Sequence, residues 1–166
     1  MKIIFLDIDG VLNDLDYIHK IYPEKCAFSK KNNINKCLNY KMYLEYVKFN
    51  FNPENLKVLK TLCDMIECKI VLTSSFRCKE VIDALTDLGF PVIGMTNYIN
   101  QNRYLEIMDY LNNNDVENFV ILDDENKYLK DTPLENNLVQ TSLYDGGLKD
   151  FHIEKAISIL NQRSRY

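Results

Sequence analysis

No stretch of this chain approaches the ~20 consecutive apolar residues of a membrane span, which excludes a transmembrane helix. Its five cysteines, Cys26, Cys37, Cys63, Cys68 and Cys78, are odd in number and contain no C-x-x-C pair. That pattern excludes a disulfide framework and a structural zinc site, and predicts free thiols in a reducing compartment. The two histidines, His19 and His152, lie far apart without ligand spacing and are expected on the surface or in packing. Internal repeats, linkers and low-complexity tracts are absent. No basic N-terminal region leads into an apolar stretch and cleavage site, so no secretory signal and a cytoplasmic or nuclear location are expected. A net charge of −4 argues against a general nucleic-acid-binding surface.

What is present suits one soluble domain spanning 1–166: 46% of the residues are apolar and 27% charged. Apolar runs at Ile3–Leu6, Ile70–Leu72, Pro91–Gly94, Phe119–Leu122 and Leu138–Gln140 predict five strands. Between them, helical stripes are expected from Asn52-Pro53, a cap followed by Pro at the first helical position, and over Arg77–Leu88, Arg103–Leu111 and Phe151–Leu160. Strands alternating with helices predict an α/β fold, a three-layer Rossmann-like parallel sheet with helices on both faces. Residues 14–50 give no clean helix or strand pattern. They hold seven lysines and four acids, +3 against −7 elsewhere, and read as a flap or small cap insert suited to an anionic substrate.

The first strand ends in Asp7-Ile8-Asp9-Gly10. At the carboxyl end of a parallel strand both carboxylates can turn toward the crevice where open α/β sheets bind ligands. Two carboxylates there are costly unless a cation or a proton compensates them, which points to Mg²⁺. Two further strands end in polar chemistry, at Thr73-Ser74-Ser75 and at Asp123-Asp124. Brought to one sheet edge, these groups supply what phosphoryl transfer requires: a metal site, a nucleophile and donors for the phosphate oxygens.

The segment Phe5-Leu6-Asp7-Ile8-Asp9-Gly10-Val11-Leu12-Asn13 resembles the first motif of the haloacid dehalogenase (HAD) superfamily of phosphohydrolases, in particular a small branch associated with RNA-repair proteins. Thr73 matches the second motif and Asp123-Asp124 the fourth. For the third, a basic residue upstream of the fourth strand, Arg103 is the choice; Lys127 follows the fourth motif and fits less well. Thr73-Ser74-Ser75-Phe76-Arg77 is similar to an S-S-x-W-R segment of the same branch, with Phe76 in place of Trp, and Gly147-Leu148 fits it too.

The resemblance implies that Asp7 is the nucleophile, forming an aspartyl-phosphate, and that Asp9 is acid and then base. Mg²⁺ would be held by Asp7, the Asp9 main-chain carbonyl and Asp124, with Asp123 as a second ligand or holding a metal-bound water. Thr73 and the Ser74 main chain would hold phosphate oxygens, and Arg103 would screen Asp7. The expected partner is a small-molecule or polynucleotide phosphomonoester; neither a membrane nor an obligate protein partner is inferred. Alternatives are a metal-dependent nuclease and a non-catalytic HAD-like binding module. Tyr17, Tyr22, Tyr40, Tyr43 and Tyr46 in the basic segment are candidates for base stacking or for packing the insert onto the core.

Overall fold

A computed structural model describes residues 1–22 and 39–162. Five strands, β1 (Lys2–Leu6), β2 (Lys69–Leu72), β3 (Val92–Met95), β4 (Asn118–Asp123) and β5 (Leu138–Gln140), form one sheet in the order β3-β2-β1-β4-β5. Every neighbouring pair is parallel, with Phe5 opposite both Val71 and Ile121. The sheet is thus the α/β Rossmann-like layout expected. From β1 the chain moves to β2 and β3 on one side, then returns past β1 to β4. The switch point between β1 and β4 opens a crevice beyond their carboxyl ends.

The helices are α1 (Leu15–Ile21), α2 (Tyr40–Phe49), α3 (Pro53–Met65), α4 (Lys79–Asp87), α5 (Arg103–Asn113) and α6 (Phe151–Asn161). Strand alternation divides the core into two layers. Ile4, Leu6, Ile70, Leu72, Val120 and Leu122 face α2, α3, α4 and α6 through residues such as Leu44, Leu59, Leu85 and Leu160. Ile3, Phe5, Val71, Phe119 and Ile121 face the thinner layer of α5 and the β4–β5 connection, where Ile107, Leu129 and Leu134 are buried. Each such side chain contributes about 1.5–3 kcal/mol when fully buried.

Two departures from the sequence expectation stand out. Residues 14–22 and 39–50 contain regular helices. Asp14 caps α1 by accepting from the Tyr17 N–H, and Asn39 caps α2 by accepting from the Met42 N–H. Helix α2 buries Leu44 and Val47 and packs against α4. The expected helix from Arg77 begins only at Lys79, because Arg77 turns its side chain inward beneath the sheet edge. Cys63, Cys68 and Cys78 are free, as expected, while Cys26 and Cys37 lie outside the described residues. No helix among the described residues is long and apolar enough to cross a membrane.

Candidate active site

Asp7 immediately follows β1. Its N–H donates to the Leu122 carbonyl (3.0 Å), so the main chain still pairs with β4 while the carboxylate turns into the crevice. Asp123 closes β4, and Asp124 follows it. Arg103, the first residue of α5 after the Asn102 cap, reaches both: Nε donates to Asp123 Oδ2 at 2.8 Å and Nη2 to Asp7 Oδ1 at 3.1 Å. Asp7, Asp9, Arg103, Asp123 and Asp124 all line one cleft of about 390 Å³. The five residues inferred from three separate motifs therefore converge.

The loop after Asp7 is built to bring Asp124 close. Gly10 has φ +76°, and a Cβ there would stand 2.4 Å from the Asp124 carboxylate carbon. Glycine is required on both counts. Asn13 holds the loop, its Nδ2 donating to Asp9 Oδ1 at 2.9 Å and its Oδ1 accepting from the Gly10 N–H at 3.1 Å. Thr141 donates to the Gly10 carbonyl and the buried Asn55 to that of Val11, tying the loop to its surroundings.

Electrostatics in the cleft are unbalanced. Burial is the first reason the Asp7 carboxyl is raised from an ordinary 3.8 to about 7; the charge of Asp123 raises it further, while Arg103 and a hydrogen bond with Ser74 lower it. Burial likewise lifts Asp123 to about 6 against the opposing pull of Arg103. Asp124 rises to about 6, again through burial first and then the charge of Asp7. Carboxylate oxygens of these three residues lie within 4.8 Å of one another. An all-oxygen set of this kind suits a hard divalent cation such as Mg²⁺. Both Asp123 oxygens are already engaged, Oδ2 by Arg103 and Oδ1 by the Glu125 N–H (2.9 Å).

Thr73 and Ser74 lie beneath the floor, both buried, and the next residue, Ser75, reaches the cleft itself. Thr73 Oγ1 is a buried side-chain oxygen with no hydrogen-bond partner among the described residues. Such a group is costly to leave unmet. Ser74 Oγ accepts from the Phe76 N–H at 3.1 Å.

Sequence reasoning assigned no role to Arg77 and passed over Glu106. The Arg77 guanidinium donates to the carbonyls of Thr73, Ser74, Thr96 and Asn97 and to Glu106 Oε1 (2.8 Å). It thereby locks the β2 end to the β3–α5 loop. Glu106 also accepts from the Ile99 N–H at 3.1 Å. Its neighbour Leu105, expected on the apolar stripe, is exposed instead. The signal available for Arg77 was its match to the Arg of the S-S-x-W-R segment. His19 is exposed, and His152 Nδ1 accepts from the Lys149 N–H at the start of α6; neither lines the cleft.

In the basic segment, Tyr17 donates to the Phe49 carbonyl, Tyr40 donates to Asp83 on α4, and Tyr43 stacks on Tyr46. Tyr22 and Tyr46 help line a small cavity of about 50 Å³ that reaches Asp9. Lys30, Lys31 and Lys36 lie outside the described residues.

A parallel sheet with an acidic switch point and an arginine-oriented aspartate defines an α/β domain of HAD type. The chain belongs to the family of HAD domains in Swiss Army Knife RNA repair proteins, whose model matches residues 3–153. No curated protein and no solved structure matches it.

Proposed function

We propose that the protein is a Mg²⁺-dependent phosphomonoester hydrolase working through an aspartyl-phosphate, on nucleotide or nucleic-acid-end phosphates. The observation that carries this reading is the buried Asp7 carboxylate, oriented by Arg103 and sharing a 4.8 Å cluster with Asp123 and Asp124. The description of the family as RNA repair domains supports the substrate class.

In the proposed sequence an Asp7 oxygen attacks phosphorus, the ester P–O bond breaks, and Asp9 gives its proton to the leaving oxygen. Asp9 then accepts a proton from the water that attacks the phosphoryl-Asp7, and inorganic phosphate leaves with Asp7 regenerated. Asn13 keeps the Asp9 carboxylate oriented for both transfers. Arg103 holds Asp7 in place and is itself braced by Asp123. The Thr73 hydroxyl, which has no partner among the described residues, and the Ser74 main-chain N–H are the proposed donors for phosphoryl oxygens. Mg²⁺, when bound, neutralises charge on the phosphoryl oxygens. Asp7 and Asp124 would hold it together with the Asp9 main-chain carbonyl, since the Asp123 oxygens are already committed.

The test is phosphate release from a small generic phosphomonoester with Mg²⁺ and with chelator. Turnover that requires Mg²⁺ and disappears in Asp7→Asn is expected. Turnover retained by Asp7→Asn, or unaffected by chelator, would contradict the reading.

A further inference from the structure

We propose that Tyr98, Tyr128 and Lys127, on the rim of the cleft, select the phosphorylated end of a single-stranded nucleic acid. This rests on the phosphomonoesterase reading and deepens it by assigning recognition to two loops of the core. The cleft of about 390 Å³ falls within the ~300–1,000 Å³ of small-ligand sites and exceeds what a phosphoryl group alone needs. Its walls carry two tyrosines on separate connections, Tyr98 between β3 and α5 and Tyr128 between β4 and β5.

Each ring already bears a cation. The Arg77 guanidinium lies 5.5 Å from the Tyr98 ring centre, and Lys127 Nζ lies 4.8 Å from that of Tyr128. Arg77 is anchored by its hydrogen bonds to four carbonyls and Glu106, so the Tyr98 wall stands on a fixed support. Tyr98 is 64% exposed and Tyr128 is half-buried. After Tyr98 the loop passes through two consecutive non-glycine residues in the left-handed region, Asn100 at φ +53° and Gln101 at +56°. Gln101 also faces the cleft. A costly backbone path that presents side chains to a site is the pattern expected of a binding loop.

These groups match one substrate chemistry. A tyrosine face stacks on any nucleobase, worth on the order of tenfold in affinity per ring. Lys127, exposed on the cleft with its ammonium against the Tyr128 ring, is placed to meet the phosphodiester next to the terminal phosphate. A simple sugar phosphate or phosphoserine would use neither ring. The acidic floor and the protein's net charge of −4 restrict such binding to a chain end rather than a long track. In the basic segment Tyr17, Tyr22 and Tyr40 donate to Phe49, Asn50 and Asp83, and Tyr43 and Tyr46 stack on each other. The cavity of about 50 Å³ beside Tyr22 and Tyr46 is too small for a base, which leaves the rim as the base platform.

The test is equilibrium binding, in Mg²⁺, of the full chain carrying Asp7→Asn, which leaves the phosphate on the ligand, to fluorescent single-stranded trinucleotides carrying a 3′- or a 5′-phosphate. Comparators are the same trinucleotide without phosphate, its duplex, a mononucleotide and a phosphoserine peptide. Tighter binding of one phosphorylated trinucleotide than of every comparator is expected. Tyr98→Ala and Tyr128→Ala should each weaken it about tenfold, with Phe at either position restoring it. Lys127→Ala should reduce the salt slope by about one. Tyr144→Ala, an exposed tyrosine outside the cleft, should match the Asp7→Asn reference chain. Equal binding by the rim variants, or preference for the peptide, duplex or mononucleotide, would overturn the proposal. If the binding pattern holds while no phosphomonoester is hydrolysed, the phosphatase reading fails and the rim assignment stands. If a small ester is hydrolysed while trinucleotides bind no better than the peptide, the rim assignment alone fails.

Discussion

Two buried charged clusters sit side by side at the carboxyl edge of the sheet, and they are built on opposite principles. Around Arg77 every guanidinium nitrogen donates, to four carbonyls and to Glu106, whose partner charge is fully matched. Around Asp7, three carboxylates face one another with a single arginine between them, and all three hold their protons well above the ordinary range. Glu106 joins the two, lying 3.9 Å from Arg103 as well. The closed cluster fixes the loops. The open one keeps a demand for positive charge that a bound metal cation can meet, after which the site can accept an anionic phosphoryl group. Burial alone therefore does not identify a functional charge; the missing counter-charge does.

The largest effect should come from breaking the open cluster at its centre. Asp7→Asn is expected to lower turnover of a phosphomonoester by about a thousandfold or more, because an amide cannot serve as the nucleophile. The same variant should raise the melting temperature of metal-free protein at neutral pH, since one unmatched buried charge disappears. Loss of activity together with loss of fold would place Asp7 in the closed class instead.

Breaking the closed cluster should do the reverse. Arg77→Met leaves Glu106 buried without its charge partner and four carbonyls without their donor. A loss of about 3–5 kcal/mol in unfolding free energy is expected, measurable by denaturant titration. An Arg77→Met protein as stable as wild type would contradict a structural role for the closed cluster.

Within the open cluster, Asp124→Ala should raise the Mg²⁺ concentration needed for half-maximal activity by on the order of tenfold or more, beyond the shift for Asp123→Ala. Asp123 is held by Arg103 and the Glu125 N–H, whereas the Asp124 carboxylate leans over Gly10. The opposite ranking in a metal titration would reassign the direct ligand.

The smallest effect concerns pH. Asp7 at about 7 and Asp123 and Asp124 at about 6 bind protons more tightly in the folded chain than at their ordinary 3.8. Their contribution to stability is fully present below pH 3.8 and is lost as pH rises through 6 and 7. Metal-free protein should therefore melt a few degrees lower at pH 8 than at pH 5.5, and Mg²⁺ should recover the difference at pH 8. An Asp7→Asn chain with the same pH slope as wild type would refute the assignment of cause.

The parts of this arrangement legible in sequence were those carried by local patterns. Each strand is an apolar run with one polar end, so Asp7, Thr73 and Asp123 could be placed before any contact was known. Arg103 was legible because the family resemblance asks for a basic residue upstream of the fourth strand and Arg103 opens a helix there. Arg77 and Glu106 were not, because their pairing joins residues 29 apart. Glu106 also occupies a buried position between Leu105, which is exposed, and Ile107, which is buried. Helix α2 was hidden by its four tyrosine and phenylalanine residues, which suit a strand as well as a helix; only packing of Leu44 and Val47 against α4 decides the matter.

The central claim, that the open cluster exists to let Asp7 carry a phosphoryl group, is tested most directly by trapping that group. Asp9→Asn protein would be mixed with an activated phosphomonoester in Mg²⁺, quenched in acid, and its peptides weighed. One phosphoryl group on the peptide containing Asp7, absent with chelator and absent when Asp7→Asn is added, is the expected result. Phosphate release with no modified peptide, or a phosphoryl group on any other residue, would contradict the account.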